Sequence, residues 1–457
     1  MKTHHYPIIA LLHCLLVINI ACASPVESYL HKAEHYFNVE SDYFKALAFY
    51  KEAARLKNPY AMAGLSVMYA FGNGTKPDMQ QARQWGKQAF SEMQKRANAA
   101  DSRAQYYLGR LYNAGAVTER DPERAFYWQQ QAANKAEPGA MIALGYYYQH
   151  GIGVKRDPTS AMRWYKQAET KGAGVAINNI GLLYLQGDGV EYDTKLAYAH
   201  FKKALSLNNA YAKFNIGNMY RYGHHLKRDL KSAIKYFTES ANQAHTGSMY
   251  QLGQIYRSKE AGKTDYAKAY YWFNKAFSLG DSESLANIAY MYELGEHFKQ
   301  NYHKAHELYQ QASKAGSAYA TARLGWFYES GFSVAKNMDT AMYYYKKAAK
   351  WNNLWATYKL AYLYRTSPPP VQNYNLAVEY YVQAARRNHT EAQLELASMY
   401  LNGLGVKKDK EIALKLLSMA AQNGSSQAQL LIQQLKGSAS ASTSNPATSG
   451  YYPTPPE

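Results

Sequence analysis

The chain has 457 residues, 47% of them hydrophobic, with only two cysteines, so it has ample material to bury and is no small disulfide-stapled scaffold. That length fits two or three globular domains, or one long array of small repeats, because an array has no size limit set by a single core. The formal charge of +18 favours acidic partners, whether an acidic protein, an anionic membrane or envelope polymer, or nucleic acid. The basic residues are nonetheless spread along the chain instead of forming one block, which is the pattern of solvated helix faces. Tyrosine dominates the aromatics, 45 against 14 Phe and 7 Trp, and its apolar ring with a polar tip suits half-buried helix surfaces and binding faces.

The first element, residues 1–23, reads as a signal peptide. Lys2 is the basic start, Ile8 to Ile20 is an apolar stretch interrupted by His13 and Asn19, and Ala21-Cys22-Ala23 is the small-x-small pattern of a cleavage site. Cleavage after Ala23 removes both cysteines and lowers the charge by the one Lys2, to +17. The alternative, a lipoprotein acylated at Cys22, meets Asn19 where an aliphatic residue is usual. No later stretch approaches twenty apolar residues, so the mature chain is expected to carry no transmembrane segment.

Residues 24–59 follow as capping helices. Within them His31-Lys32-Ala33-Glu34-His35 spells a zinc-protease pattern, with both histidines on one helix face. It stands beside the mature N-terminus with no third ligand in a suitable frame, so an exposed helix is expected there, not catalysis.

From Tyr60 onward a period governs the chain. Leu108-Gly109 with Tyr112 recurs every 36 residues, through Leu144-Gly145 with Tyr148 and Ile180-Gly181 with Tyr184, as far as Leu396-Ala397 with Tyr400. Asp121 and Ala125 recur in step as Asp157 and Ala161, Asp193 and Ala197, and onward to Asp409 and Ala413, with Asn301, Asn337 and Asn373 replacing Asp in three units. Each position has a physical job. Ala104, Leu108, Leu111 and Tyr112 fall at helical spacing and make one apolar stripe. Gly109 in mid-helix costs about 1 kcal/mol in propensity, which close approach of a neighbouring helix would offset. Asp121 followed by Pro122 is an N-cap with proline at the first helical position. Ala125, Trp128 and Ala132 put small, large and small side chains on the second helix, and glycine turns such as Gly151-Ile152-Gly153 join the two. Ten complete units are expected, within a solenoid over 60–436 that ends on a partial cap. The tail, 437–457, is rich in Ser, Thr, Ala and Pro and reads as disordered.

The third unit reads Ala140, Leu144, Gly145, Tyr148, Gly151, Gly153, Val154, Asp157, Ala161, Trp164, Tyr165, Ala168. This resembles the Sel-1-like repeat, a relative of the tetratricopeptide repeat whose own period is shorter. The resemblance covers about Asp42 to Leu435. It implies an all-α fold, a right-handed α-solenoid of stacked helix pairs in a tetratricopeptide-like superhelix. Ser258-Lys259-Glu260 and Ser367-Pro368-Pro369-Pro370 replace the glycine turn in the sixth and ninth units, so those loops should differ in shape.

Other constellations are weak. A Gly-x-Gly such as Gly151 and Gly153 follows a helix instead of a strand and recurs in register, so it is a turn and not a phosphate loop. His297, His303 and His306 read as surface histidines rather than a metal site, and no nucleophile or cofactor motif stands out. The chain is therefore expected to be no enzyme and to use no cofactor or metal. The resemblance implies adaptor or scaffold work, in bacteria in the envelope or in host interaction, and in eukaryotes in the secretory pathway. Without an ER-retention signal at Pro455-Pro456-Glu457, a periplasmic or secreted bacterial protein is expected; Asn73 and Asn388 would be glycosylated only on a eukaryotic route. Protein partners are expected, with an anionic envelope glycan as the alternative and no nucleic acid. Carrying over the tetratricopeptide register places Tyr319, Trp326, Trp355, Tyr358 and Tyr362 near groove-facing positions of the eighth and ninth units. These rings form the expected partner site; the alternative is that they fill packing gaps between helices.

Overall fold

The computed structural model describes residues 24–437. The leader with its cleavage point and Cys22, and the tail from 438 onward, lie outside the described residues. Two compact units divide the chain, one up to Ile288 and one from Ala289.

The first unit holds α1 (Pro25–His35), a π-helical turn (Tyr36–Glu40), α2 (Tyr43–Arg55), α3 (Pro59–Phe71), α4 (Met79–Asn98), α5 (Ser102–Ala114), α6 (Pro122–Ala133), α7 (Pro138–His150), α8 (Pro158–Glu169), α9 (Gly174–Gln186), α10 (Thr194–Ser206), α11 (Ala210–Tyr222), α12 (Leu230–Ala241), α13 (Thr246–Arg257) and α14 (Tyr266–Ser278). The division falls within α15 (Ser282–Leu294). The second unit continues with α16 (Tyr302–Lys314), α17 (Ala318–Ser330), α18 (Met338–Lys350), α19 (Leu354–Thr366), α20 (Tyr374–Ala385), α21 (Thr390–Asn402), α22 (Lys410–Gln422) and α23 (Ser426–Gly437). Among the described residues there is no strand. Helices α2 to α14 each pack on the next in the chain, as do α16 to α23, so the fold is an all-α solenoid of stacked pairs.

The recurring acid or amide begins each second helix as expected. Asp78, Asp121, Asp157, Asp193, Asp229, Asp265 and Asp409 accept hydrogen bonds from backbone N–H groups of the first turn, and Asn301, Asn337 and Asn373 do the same. The glycine turn has two distinct requirements. Gly151 caps α7 at φ 70°, and Gly153 at φ 65° runs so close to the preceding pair that a Cβ would lie 2.0 Å from the Pro122 carbonyl oxygen. The sixth unit's loop departs as expected: Ser258 ends α13 with extended φ and ψ, and a 3₁₀ turn, Lys259–Ala261, follows.

The mid-helix glycine makes room for a ring. A Cβ on Gly145, Gly181, Gly217, Gly253 or Gly325 would meet Tyr165, Phe201, Phe237, Phe273 or Tyr345 at 2.3–2.7 Å, and all five rings are fully buried. The large core residue of the second helix is therefore the one after the tryptophan position. In α6 it is Gln129, buried between Ala125 and Ala132, while Trp128 is only half-buried. The small-large-small face expected through Trp128 is thus turned by one residue. Aligning these rings down the array builds the core from aromatic–glycine contacts and small alanines.

Candidate partner-binding face

In the first unit, one run of first helices is already covered. The segment from Glu34 to Tyr43 lies against α5, α9 and the start of α11 as a strap. The Glu34 carboxylate accepts from Tyr107 Oη at 3.0 Å and pairs with Arg103 at 3.3 Å, and Tyr107 Oη also meets Tyr50 Oη at 3.0 Å. Burial pushes the Glu34 carboxyl up to about 7, outweighing Arg103. The Arg110 guanidinium lies 4.2 Å from the Phe37 ring centre. The zinc-protease spelling is thereby dispersed: Glu34 turns to Arg103, His35 pairs with Glu40 at 3.2 Å, and His31 stays exposed.

In the second unit, the five expected residues occupy two neighbouring stretches of first helix. Tyr319, half-buried on α17, meets Tyr290 and Tyr309 edge-on with ring centres 6.2 and 6.4 Å apart. Trp326, also half-buried on α17, carries Arg323 4.2 Å over its ring and stacks on Phe332 at 4.8 Å. Arg323 also faces the Tyr290 ring, so it links the Tyr319 and Trp326 groups. On α19, Trp355 and Tyr362 are half-buried and share Lys359, which lies 5.9 and 5.5 Å from their ring centres. Arg365 covers Tyr362 from the other end at 5.9 Å.

Tyr358 differs from the other four. It is buried, stacks on His389 at 4.6 Å and packs against Tyr381. Its ring fills the space between two repeats.

Charged residues complete this face, and the sequence reading missed them. Glu293 holds Arg323 and accepts from Tyr309 Oη at 2.8 Å; Glu329 holds Lys359 at 2.9 Å; Glu395 holds Arg365 at 3.0 Å. Burial raises the Glu293 and Glu395 carboxyls against the pull of their arginines. The signal was available as a spacing: Glu293 to Arg323 and Glu329 to Lys359 are each 30 residues apart, the step that joins the end of one first helix to the start of the next. Of the three histidines of the neighbouring loop and helix, His306 packs between Phe327 and Tyr328, while His297, beside Phe298, and His303 are exposed.

Stacked two-helix units, five of them with the mid-helix glycine of the first helix under a ring of the second, define an all-α helical-repeat protein. The chain belongs to the Sel1 repeat family. The Sel1 repeat pattern matches eleven times, over residues 29–58, 59–92, 102–136, 138–172, 174–209, 210–245, 246–281, 282–317, 318–350, 356–389 and 390–425. The first match falls in the stretch read from the sequence as capping helices. Sel1 repeats mediate protein interactions, and no described helix is long and apolar enough to cross a membrane.

Among solved structures the chain is similar to c5321, a protective antigen of uropathogenic Escherichia coli with this repeat fold (23% identity, 96% of this chain and 99% of that one, TM-score 0.45). It is also similar to a Sel1 repeat protein from Oxalobacter formigenes (23%, 76% and 89%, 0.35) and to the immunity protein Pa5087 from Pseudomonas aeruginosa (20%, 48% and 82%, 0.38). No curated protein sequence matches the chain.

Proposed function

We propose that the chain is an exported, non-catalytic scaffold of the bacterial envelope or of host interaction, and that it holds a protein partner on the first-helix face of its second unit. The observation that carries this is the band of half-buried rings on α17 and α19, Tyr319, Trp326, Trp355 and Tyr362, braced by Arg323 and Lys359. Rings left partly open to water and held rigid by neighbours are common anchors at interfaces, and truncating one typically costs about 2 kcal/mol of binding. Export rests on the leader at residues 1–23; a chain beginning at Ser24 in exported material, by intact mass, checks it, and an acylated Cys22 overturns it.

The binding test is Trp326→Ala combined with Trp355→Ala. The immobilised mature chain is crosslinked with an envelope fraction, and its partners are identified by mass spectrometry. The double variant is expected to lose at least ten-fold in capture with its melting temperature nearly unchanged. Normal capture, or a large drop in melting temperature, would make the rings core and remove the site from this face. Capture of purified cell wall in place of protein would shift the partner to a glycan.

A further inference from the structure

The eleven turns between repeats share one backbone form. At each, a residue with positive φ is followed by the N-cap of the next first helix, from Lys57-Asn58 to Gly424-Ser425. Two of these turns are Asn-Asn: Asn208-Asn209 in the first unit and Asn352-Asn353 in the second, four repeats apart. Asparagine has a backbone reason to be at each place, since it tolerates the left-handed region and caps helices. Asn209 and Asn353 indeed accept from Ala212 and Ala356 N–H at 3.1 and 2.9 Å. Each cap uses only the oxygen of the amide and leaves its NH₂ to be accounted for.

In the first unit the NH₂ groups hold the strap. Asn209 Nδ2 donates to the Val39 carbonyl at 2.7 Å and to Ser41 Oγ at 3.1 Å. Asn208 Nδ2 donates to the Glu40 carboxylate at 2.5 Å. Val39 and Glu40 end a helical turn, where carbonyls lack intrahelical donors. Tyr43 then sets its ring edge-on against Tyr211, two residues past the Asn pair. Asn209 is fully covered as a result.

The second unit repeats this seat. Trp355 stands where Tyr211 stands. The ring pair behind it is equivalent too, Phe214 with His245 in one unit and Tyr358 with His389 in the other, both with centres 4.6 Å apart. Arg387 donates to the Asn352 carbonyl at 2.9 Å, as Gln243 does to that of Asn208. One difference is Thr357 in the place of Lys213, which in the first unit donates to Asn208 Oδ1. No described segment covers this seat: Asn353 is only half-buried, and neither Asn352 nor Asn353 has a described acceptor for its NH₂ group.

We infer that Asn352, Asn353 and Trp355 form a receptor for the C-terminal turn of a partner's helix that carries an acidic residue and, three residues on, an aromatic ring. The chemistry is that of Val39-Glu40-Ser41-Asp42-Tyr43. Asn353 takes a free end carbonyl, Asn352 takes the carboxylate, and Trp355 takes the ring. Exposed Lys350 and Arg387 flank Asn352 and match the partner's acid in sign. This rests on the reading of the second unit's first-helix face and names the chemistry of the partner there.

The probe is a fluorescent peptide of residues 25–43 with a photoreactive group at Phe37, titrated into the full mature chain. It is expected to bind and to crosslink to residues 350–358, since the equivalent seat in the first unit is occupied. Asn353→Asp keeps the cap oxygen, removes the donor and sets a charge against the partner's acid, so it should weaken binding at least ten-fold at unchanged melting temperature. Asn353→Ser, which also caps, should weaken it several-fold, and Glu40→Gln in the peptide should do likewise. Absence of binding at millimolar peptide, indifference to Asn353→Asp, or crosslinks confined to residues 208–215 overturns the inference. If Asn353→Asp is without effect while the Trp326 and Trp355 double variant still loses its partner, this inference fails and the broader assignment of the face stands.

Discussion

Gly181→Glu should be among the most damaging single changes in the first unit, lowering its stability by about 3–5 kcal/mol. Gly181 is buried in the middle of α9, and a Cβ there would lie 2.6 Å from Phe201 Cε1, 2.8 Å from its Cδ1 and 3.1 Å from the Ala197 carbonyl oxygen. Phe201 is itself fully buried and has no open side to move toward. A glutamate adds the whole overpacking term and then a carboxylate with no described cation beside it, which must either be buried uncompensated or force the two helices apart. Gly181→Ala separates the two terms. It gains about 1 kcal/mol of helix propensity and meets an overpacking cost of about 1–3 kcal/mol, so a net loss near 1 kcal/mol is expected. Apart from the strap, which ties residues 34–43 to α9 and α11, the repeats lean chiefly on their neighbours, so urea unfolding of the glutamate variant should split, with the repeats around α9 and α10 and the strap's hold on them lost at lower urea than the rest. A glutamate variant with the parent midpoint and slope would show that the ring moves freely and that the glycine is not needed.

Only part of this packing is legible in the sequence. The period, the caps and the glycine turns are local features, so reading them needs only neighbours within a helix turn. The reason for the glycine lies across a helix pair. Gly145 and Tyr165 are 20 residues apart, and the reading through Trp128 put the large side chain one position early, because Trp128 is the larger and more apolar of the two neighbours while packing buries Gln129. The candidate face was legible to the same extent. Tyr319, Trp326, Trp355 and Tyr362 could be nominated from register, but Tyr358 turns inward because its step along α19 points it at His389 and Tyr381. The acids beneath the rings were legible only as a 30-residue spacing that the reading did not use, since Glu293 and Glu329 come from the preceding repeat. The strap was further still: Val39 meets Asn209 across 170 residues, a contact no period predicts.

Arg323→Leu should cost about 3–5 kcal/mol, the usual penalty for leaving one member of a buried ion pair alone. The Arg323 and Glu293 side chains keep only 10% and 5% of their surface in water, so little solvent screening remains between them. With Arg323 gone, the Glu293 carboxylate retains only the Tyr309 hydroxyl among its described partners. Burial already pushes this carboxyl up against the pull of arginine, so the variant, with that pull removed, should meet the loss by taking up a proton more readily than the parent. Its deficit against the parent should accordingly shrink as pH falls, a trend visible in denaturant midpoints between pH 8 and pH 5. Replacing both members, Arg323→Leu with Glu293→Leu, removes the stranded charge and should recover most of the stability, because well-packed apolar pairs commonly equal buried ion pairs. The double variant then isolates what the pair does for the surface. Arg323 lies 4.2 Å over the Trp326 ring and also faces Tyr290, so it fixes the angle at which Trp326 meets solvent. If the pair is kept for that purpose, the stable double variant should still lose partner capture several-fold. Full capture by the double variant would make the ion pair a matter of packing alone and leave Trp326 to hold its own orientation against Phe332.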